Sequence, residues 1–331
     1  MIKIIQDTNG TMTLEDLREY KVITRQTVGI EYRGFKVYAT STPTSGSVCL
    51  SVLKTMEQYP LSDAKDANLT IHRFNEAMRF AYGARMELGD PHYVSNMAVY
   101  EDRLLSASRA KQIRRRILDN TTQPVAAYDP RGEYAPPGHG TSHIVAADAS
   151  GLVITSTTTI NTLFGAQIMT PRSGIIINNE MNDFSIPGKP NEFGFPPAAA
   201  NFIRPGKRPL SSITPLIAEF ANGSVYFATG AAGGSRIISA TMQAAWHVLE
   251  HGMTAAEALA EPRLHDQLIP NQVTLEYTFD NSTAASLIEK GHNVTWVRLG
   301  GSAVQAVRRI WDGTFEAASE PRQLNSGGFT T

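Results

Sequence analysis

The sequence has a single cysteine and almost no net charge, and these shortages exclude several classes of protein. Cys49 cannot form a disulfide within the chain, and its neighbours Val48 and Leu50 favour a small buried hydrophobic residue. The 30 Lys and Arg residues nearly balance the 31 Asp and Glu residues, so the net charge is -1. This balance gives no electrostatic case for nucleic acid or an anionic membrane surface. No Cys/His cluster indicates zinc, and we expect neither a metal nor a cofactor.

The chain also lacks a long apolar run and a recognisable targeting segment. No run is long enough to cross a bilayer, and the first residues have neither the apolar region nor the cleavage site of a signal peptide. Six of the sixteen asparagines nevertheless begin a glycosylation sequon, whereas the frequency of Ser and Thr predicts roughly one asparagine in eight. Coincidence explains them as well as a secretory-pathway protein whose targeting segment lies outside this chain. The sequons begin at Asn9, Asn68, Asn120, Asn222, Asn281 and Asn293.

Hydrophobic residues make up 42% of the 331 residues, which is enough for a sizeable core and disfavours disorder. In the first part of the chain, residues 27–40 predict two short strands about a turn at Arg33-Gly34. A basic run at 111–116 is more typical of a solvated helix face than of a binding patch, because the overall charge is balanced. Apolar periodicity predicts helices over 47–59, 71–88 and 104–120.

The second part of the chain follows a linker and is rich in strand patterns. Residues 120–140 are rich in proline and glycine without periodicity, and a β pattern starts abruptly at Thr141. The Pro/Gly-rich stretch 186–210 predicts a long ordered loop, and such loops are often lids. Strand signals then alternate with helices, which predicts an α+β architecture with an antiparallel sheet core. Strands are predicted over 142–148, 152–161 and 173–181, with hairpins about Asn222-Gly223 and Asp312-Gly313.

The Gly140-Thr141 bond is the sharpest anomaly, because a Pro/Gly loop delivers it to the first residue of a strand. A threonine hydroxyl is a weak nucleophile and needs a neighbouring base. If the threonine becomes an N-terminus, its own α-amine, whose reference pKa is near neutrality, can take the proton. On pattern alone the signal is weak, since most Gly-Thr pairs at strand starts are structural.

Four further motifs are suited to binding, and each has a structural alternative. The Thr-rich stretch 155–161 presents hydroxyls on both strand faces, or simply reflects the β propensity of threonine. The acidic stretch 178–183 is a cradle for an ammonium group or a solvated turn. Ser211-Ser212 is a carboxylate site or a turn, and Gly233-Gly234 is an oxyanion hole or a tight strand-to-helix connection. Together they describe a pocket for a zwitterionic amino acid.

The sequence TSHIVAADASGLVITSTTTINTLFGAQIMTPRSGIIINNEMNDFS, followed by PLSSITP and GAAGG, closely resembles the small subunit of gamma-glutamyltransferases, also called gamma-glutamyl transpeptidases or glutathione hydrolases. Residues 11–140 resemble the end of that family's large subunit, including LEDLREY, TPTSG and FAYGARMELGDP. The resemblance implies the N-terminal-nucleophile hydrolase fold, an αββα four-layer sandwich, here incomplete at the N-terminus. Residues 1–140 and 141–331 are then the two subunits of a single structural domain.

The resemblance also implies a role for each candidate residue. Thr141 matches the threonine that attacks the carbonyl of Gly140, cuts the precursor there and becomes the nucleophile. Thr159 matches the threonine that orients it, and Gly233 and Gly234 match the oxyanion hole. The family residues that hold the α-amino group of the substrate are matched by Asn161, Glu180 and Asp183. Those that bind its α-carboxylate are matched by Ser211 and Ser212.

The implied chemistry is transfer of a gamma-glutamyl group through a gamma-glutamyl-Thr141 ester. Glutathione or another gamma-glutamyl compound is the donor, and water, an amino acid or a peptide is the acceptor. The implied protein is a zymogen and a glycoprotein, cut into a heterodimer of large and small subunits. Members of the family are typically extracellular, membrane-anchored or vacuolar. A different amidase of this fold, acting on acylated beta-lactams, suits the acids and serines of the pocket less well.

Family precursors begin well before the equivalent of Met1, so we expect a truncated chain or a shortened homologue. The preceding half normally supplies core strands, helices and an arginine that pairs with the α-carboxylate. The sequence offers no recognisable substitute for that arginine. A catalytically impaired homologue that acts as a binding or scaffold protein is therefore the alternative function.

Overall fold

The computed structural model describes residues 1–61, 66–130, 140–188 and 197–330. Helices and strands alternate along it, and each predicted hairpin forms. Up to residue 130 the elements are α1 (Ile2–Asp7), α2 (Leu14–Glu19), β1 (Thr27–Tyr32), β2 (Phe35–Thr40), α3 (Gly46–Met56), α4 (Ala67–Arg85), α5 (Met97–Leu105) and α6 (Ala107–Arg116). From residue 140 they are β3 (Thr141–Ala147), β4 (Val153–Thr159), β5 (Leu216–Glu219), β6 (Val225–Ala232), α7 (Arg236–His251), α8 (Ala255–Ala260), β7 (Leu264–His265), β8 (Val273–Glu276), α9 (Asn281–Glu289), β9 (Val294–Val297), β10 (Ala303–Arg309) and β11 (Phe315–Ala318).

A six-stranded antiparallel sheet in the order β1-β2-β5-β6-β10-β11 forms the centre of the molecule. Helices α3 and α7 pack on one face of this sheet, and α4 packs against α3. The hairpin β3-β4 packs on the other face against β6, with β3 also contacting β10. Helix α3 is buried almost throughout because it lies between the sheet and α4. The layered α+β architecture predicted from the sequence is thus confirmed.

A second, three-stranded sheet departs from the antiparallel expectation. Strands β7 and β8 are antiparallel, but β8 and β9 run parallel. Helix α9 makes the crossover between these parallel strands, which is the connection that parallel pairing requires.

Two predicted elements are wrong. The helix predicted over 104–120 is two helices, because Ser106 has an extended backbone and its hydroxyl accepts the Arg109 N–H at 3.2 Å, capping α6. The strand predicted over 173–181 is absent from the described part, where this stretch forms only an isolated bridge between Met169 and Ile176. The predicted lid falls partly at 189–196, outside the described residues.

The basic run on α6 is partly used in packing. The Arg114 guanidinium lies 4.2 Å from the ring centre of Tyr59, and Arg116 forms an ion pair with Asp129 at 2.6 Å. Cation–π contacts and ion pairs of this kind orient arginines within the fold. The solvated helix face predicted for this run is therefore only partly present, because Arg114 and Arg116 are half-buried and contact other parts of the fold.

Cys49 is fully buried, as its apolar neighbours predict, and burial raises the pKa of its thiol. Five of the six sequon asparagines are exposed, whereas Asn68 is half-buried and its side-chain oxygen accepts from Thr283 at 2.7 Å. None of the described helices combines the length and apolarity needed to cross a membrane. Passage through the secretory pathway stays a prediction.

One close contact seats the β3-β4 hairpin on the central sheet. His143 is buried against Gly230 of β6, and its two ring nitrogens bond the hydroxyls of Thr157 and Thr155 at 2.8 and 3.0 Å. Burial lowers the pKa of His143 to about 4, so the imidazole is neutral at neutral pH. The register at the start of β3 therefore depends on the absence of a side chain at residue 230.

Substitution of Gly230 by alanine tests this contact. A Cβ atom there would lie 2.2 Å from His143 Cε1, so we expect Gly230→Ala to lower the free energy of unfolding by about 1–3 kcal/mol. Urea unfolding measures the change. The cost should shrink in the His143→Ala background, where the ring is gone. Equal costs in both backgrounds would contradict the proposed contact.

Candidate active site

The first residue of β3 faces the last residue of β4 across the hairpin. Thr141 pairs with Thr159, and the Thr141 hydroxyl donates to the Thr159 hydroxyl at 3.0 Å. Because strand side chains alternate, Thr155, Thr157 and Thr159 turn inward, while the residues between them are exposed. The stretch thus has hydroxyls on both faces, and the inward ones contact β3 and the central sheet.

The Thr159 hydroxyl is itself fixed by neighbouring groups. Its oxygen accepts the Asn161 N–H at 2.8 Å and lies 3.5 Å from the carbonyl oxygen of Gly140. Asn161 has a left-handed backbone, with φ of 71°, and its side chain donates to the Asn179 carbonyl at 3.0 Å. The Gly140-Thr141 bond therefore has two oriented hydroxyls beside it.

One cavity brings together the candidate residues that lie far apart in the sequence. It collects both threonines, the acidic turn, the serine pair and the glycine turn before α7, with Gly233 adjacent to its lining. The lining residues are Arg85, Thr141, Thr159, Asn161, Glu180, Asp183, Leu210, Ser211, Ser212, Ile213, Gly234, Ser235 and Ile237. The separation of these motifs along the sequence did not predict how close they lie in the fold.

The acidic wall of the cavity is a 3-10 turn from Glu180 to Asp183. Burial and the neighbouring Asp183 carboxylate raise the pKa of Glu180 to about 7, and burial also raises the pKa of Asp183. Glu180 Oε2 is buried without a hydrogen-bond partner in the structure. Two such carboxyl groups share one proton near neutral pH, and a cation placed between them removes the cost of ionising both.

Asn201 connects this acidic turn to the serine pair, and sequence analysis missed it. The Asn201 side chain donates to the Asp183 carbonyl at 2.6 Å and accepts the Leu210 N–H at 2.9 Å. It is buried and lies within the segment 186–210 that was predicted to be a lid. No local pattern in the sequence marks this residue, because its two partners come together only in the fold.

Gly233 and Gly234 make the turn from β6 into α7. Both have positive φ, at 133° and 60°, and a Cβ at Gly233 would lie 2.7 Å from the carbonyl oxygen of Gly301. Glycine is required there on steric grounds. The turn places the N-terminal end of α7, with its partial positive charge, at the cavity.

A separate group of side chains of metal-binding type is His72, Glu76 and His292, which lies outside this cavity. His72 Nδ1 and His292 Nε2 are 2.8 Å apart, and both Glu76 oxygens accept from the Tyr128 hydroxyl. These hydrogen bonds account for the cluster, and the buried Arg79 is 3.9 Å from Glu76. The arrangement fits a core hydrogen-bond network better than a metal site.

The layered α+β architecture is that of the N-terminal-nucleophile hydrolases, as comparison with solved structures shows. The fold matches a cephalosporin acylase structure from Bacillus halodurans with a TM-score of 0.83 and 24% identity, over 99% of this chain and 57% of that one. A gamma-glutamyltranspeptidase mutant structure from Helicobacter pylori matches with a TM-score of 0.51 and 33% identity, over 55% of this chain and 99% of that one.

The sequence profile of the gamma-glutamyltranspeptidases matches residues 1–328. A glutathione hydrolase proenzyme from Arthroderma benhamiae is 49% identical over 329 residues, 99% of this chain and 56% of that protein. The chain belongs to the gamma-glutamyltranspeptidase family. It spans just over half the length of this relative and of a glutathione hydrolase from Aspergillus flavus.

The shared proton predicts a pH dependence of stability. Because the pKa of folded Glu180 is raised, the folded chain binds more protons than the unfolded chain between about pH 4.5 and 7. Stability from this group is therefore fully present at low pH and is lost as the pH rises through about 7. We expect the unfolding free energy of the parent chain to fall relative to Glu180→Gln between pH 5 and 8, measured by urea unfolding. The exposed Glu289→Gln controls for the loss of one carboxylate, and a constant difference would contradict the shared proton.

Proposed function

We propose that the chain carries out gamma-glutamyl transfer and hydrolysis, with Thr141 as the nucleophile after cleavage of the Gly140-Thr141 bond. The observation that supports it most is the hydroxyl pair Thr141 and Thr159, 3.0 Å apart, on a cavity with acids and serines in its other walls. Membership of the family supports the reaction class.

Cleavage begins with attack of Thr141 Oγ1 on the Gly140 carbonyl carbon. The Thr159 hydroxyl orients the nucleophile, since it lies within reach of both the attacking oxygen and the Gly140 carbonyl. The C–N bond breaks, the nitrogen takes the hydroxyl proton, and an ester joins the two residues. Water then hydrolyses this ester, which leaves a carboxylate on Gly140 and a free α-amine and hydroxyl on Thr141.

The substrate amino acid lies between the acidic turn and the serine pair. Asn161, Glu180 and Asp183 hold the α-ammonium, and the unpartnered Glu180 oxygen favours a cationic group at that end. The α-carboxylate accepts hydrogen bonds from Ser211 and Ser212. This division gives the ammonium and the carboxylate of the substrate separate binding groups, which favours one orientation of the substrate in the cavity that Thr141 lines.

Acyl transfer uses the free α-amine of Thr141 as the base. The amine takes the hydroxyl proton as Oγ1 attacks the gamma carbonyl, and the N–H groups of Gly233 and Gly234 stabilise the oxyanion. The proton passes to the departing amine, leaving a gamma-glutamyl ester on Thr141. Water or the amine of an amino acid or peptide then attacks the ester and restores the hydroxyl. Glutathione is a donor of this class, and the two cleaved parts act together as a heterodimer.

Replacement of Thr141 tests the assignment of the nucleophile. The purified parent chain should separate under denaturing conditions into residues 1–140 and 141–331, whereas Thr141→Ala should remain one band. Ser142→Ala is the matched control, because Ser142 is the next residue of β3 and its side chain is exposed. Intact-mass spectrometry checks the cut position. Cleavage that persists in Thr141→Ala would refute the assignment.

Paired chromogenic amides test the substrate class. We expect the parent chain to hydrolyse a gamma-glutamyl amide at least about a hundredfold faster than the matching glutaryl amide, because the glutaryl group has no ammonium to pair with the half-buried Glu180 and Asp183. Faster glutaryl hydrolysis would favour an amidase of the acylated beta-lactam type. Absence of turnover on both amides would favour the alternative of a binding or scaffold protein.

A further inference from the structure

Arg85 is a buried cation in the cavity that the motif-based predictions did not use. It is the last residue of α4, only 7% exposed, and lies in the cavity lining beside the serine pair. Its Nε donates to the Ser45 hydroxyl at 3.0 Å, and its Nη2 donates to the Ser212 hydroxyl at 3.1 Å. The guanidinium stays charged at every physiological pH, so its field acts on whatever enters the cavity.

The two hydroxyls that Arg85 binds belong to two turns that hold each other. The Ser45 hydroxyl donates to the Ser211 carbonyl at 2.7 Å, and the Ser45 N–H donates to the Ile213 carbonyl at 3.1 Å. The Ser211 N–H in turn donates to the Pro43 carbonyl at 2.8 Å. Arg85 therefore contacts the serine pair directly through Ser212 and indirectly through Ser45.

This geometry determines the direction in which Ser212 can donate. A hydroxyl oxygen that accepts from a guanidinium directs its own proton to another acceptor, and the charged donor polarises that O–H bond. A carboxylate is the acceptor that gains most from such a donor in a partly buried cavity. The same guanidinium attracts the carboxylate charge, whereas it has no favourable interaction with a substrate that lacks one.

We propose that Arg85 is the positioning residue for carboxylate recognition: through Ser212 it fixes a hydroxyl donor, and it makes the cavity select amino acids that carry an α-carboxylate. The proposal rests on the proposed function of the same cavity. It assigns to this chain's own α4 a cation at the carboxylate end, where sequence analysis found no candidate.

The planar guanidinium fork of Arg85 makes these two contacts at once. The Nε and Nη2 atoms bridge two hydroxyls on different turns, which a single ammonium on a flexible stem cannot reproduce. Arg85→Lys keeps the charge and loses the bridge, whereas Arg85→Gln loses both. The two variants therefore separate the contribution of charge from that of position.

The test uses two donors that differ only in the α-carboxylate, the p-nitroanilides of gamma-glutamate and of 4-aminobutanoate. For Arg85→Gln we expect the KM for the gamma-glutamyl amide to rise at least about tenfold, with KM for the 4-aminobutanoyl amide unchanged within about twofold. Arg85→Lys should fall between the parent and Arg85→Gln. Calorimetric binding of L-glutamate and 4-aminobutanoate gives a second readout that does not depend on turnover.

Arg263→Gln is the matched control, since Arg263 is also 7% exposed and lies outside the cavity, where it pairs with Glu320 at 2.8 Å. It should affect both donors equally. Equal effects of Arg85→Gln on both donors, or no effect, would overturn the positioning role while leaving the proposed function intact. If the parent chain neither binds L-glutamate nor hydrolyses either donor, the proposed function fails and this proposal fails with it.

A double-substitution experiment covers the case in which Arg85→Gln does not fold. In the Ser212→Ala background the hydroxyl is absent, so Arg85→Lys should change KM for the gamma-glutamyl amide far less than it does in the parent. Additive effects of Arg85→Lys and Ser212→Ala would show that the guanidinium does not act through this hydroxyl.

Discussion

The hydroxyl contact between Thr141 and Thr159 depends on the register of one two-stranded hairpin, and the proposed chemistry of the site depends on that contact. A shift of one residue would turn Thr141 to the exposed face, because strand side chains alternate. The register is held by cross-strand pairs and by His143, whose ring occupies the space left open at Gly230. The position of a single hydroxyl is thus set by packing two residues further along the strand.

The charge states of the acidic side chains in the cavity depend on their burial, on each other and on Arg85. The acids at 180 and 183 are close together and partly buried, so the pKa of each carboxyl group is raised, and an entering ammonium would favour the ionised forms. The positive charge of Arg85 acts in the opposite direction: it lowers the pKa of Asp183, although the effect of burial, which raises that pKa, is larger. A zwitterion would pair with the negative charge of the acidic turn and with the positive charge of Arg85 at once, whereas a simple anion or cation would pair with only one of them.

Local sequence patterns predicted the hairpins and most helices because their signals are contained within a few residues. The turns at Asn222-Gly223 and Asp312-Gly313 are examples, and both hairpins form. The strand predicted over 173–181 was wrong because an apolar run carries no information about a pairing partner. The family resemblance named the residues of the cavity, and the fold brought them together, with Gly233 adjacent to its lining. Asn201 and the contacts of Arg85 were out of reach, since their partners are distant in sequence.

The central sheet combines strands from the two sides of the Gly140-Thr141 bond: β1 and β2 precede the bond, and β5, β6, β10 and β11 follow it. Strand β2 pairs with β5 along four residues, and the turn at 43–45 bonds the turn at 211–213. A cut at that bond would therefore leave two chains that share one hydrophobic core, and neither would keep a complete sheet if separated. Folding of a mature enzyme from separated chains would become a bimolecular event whose midpoint depends on protein concentration, whereas the uncut chain folds independently of it. In the uncut chain, by contrast, the peptide bond keeps the two segments together while they fold.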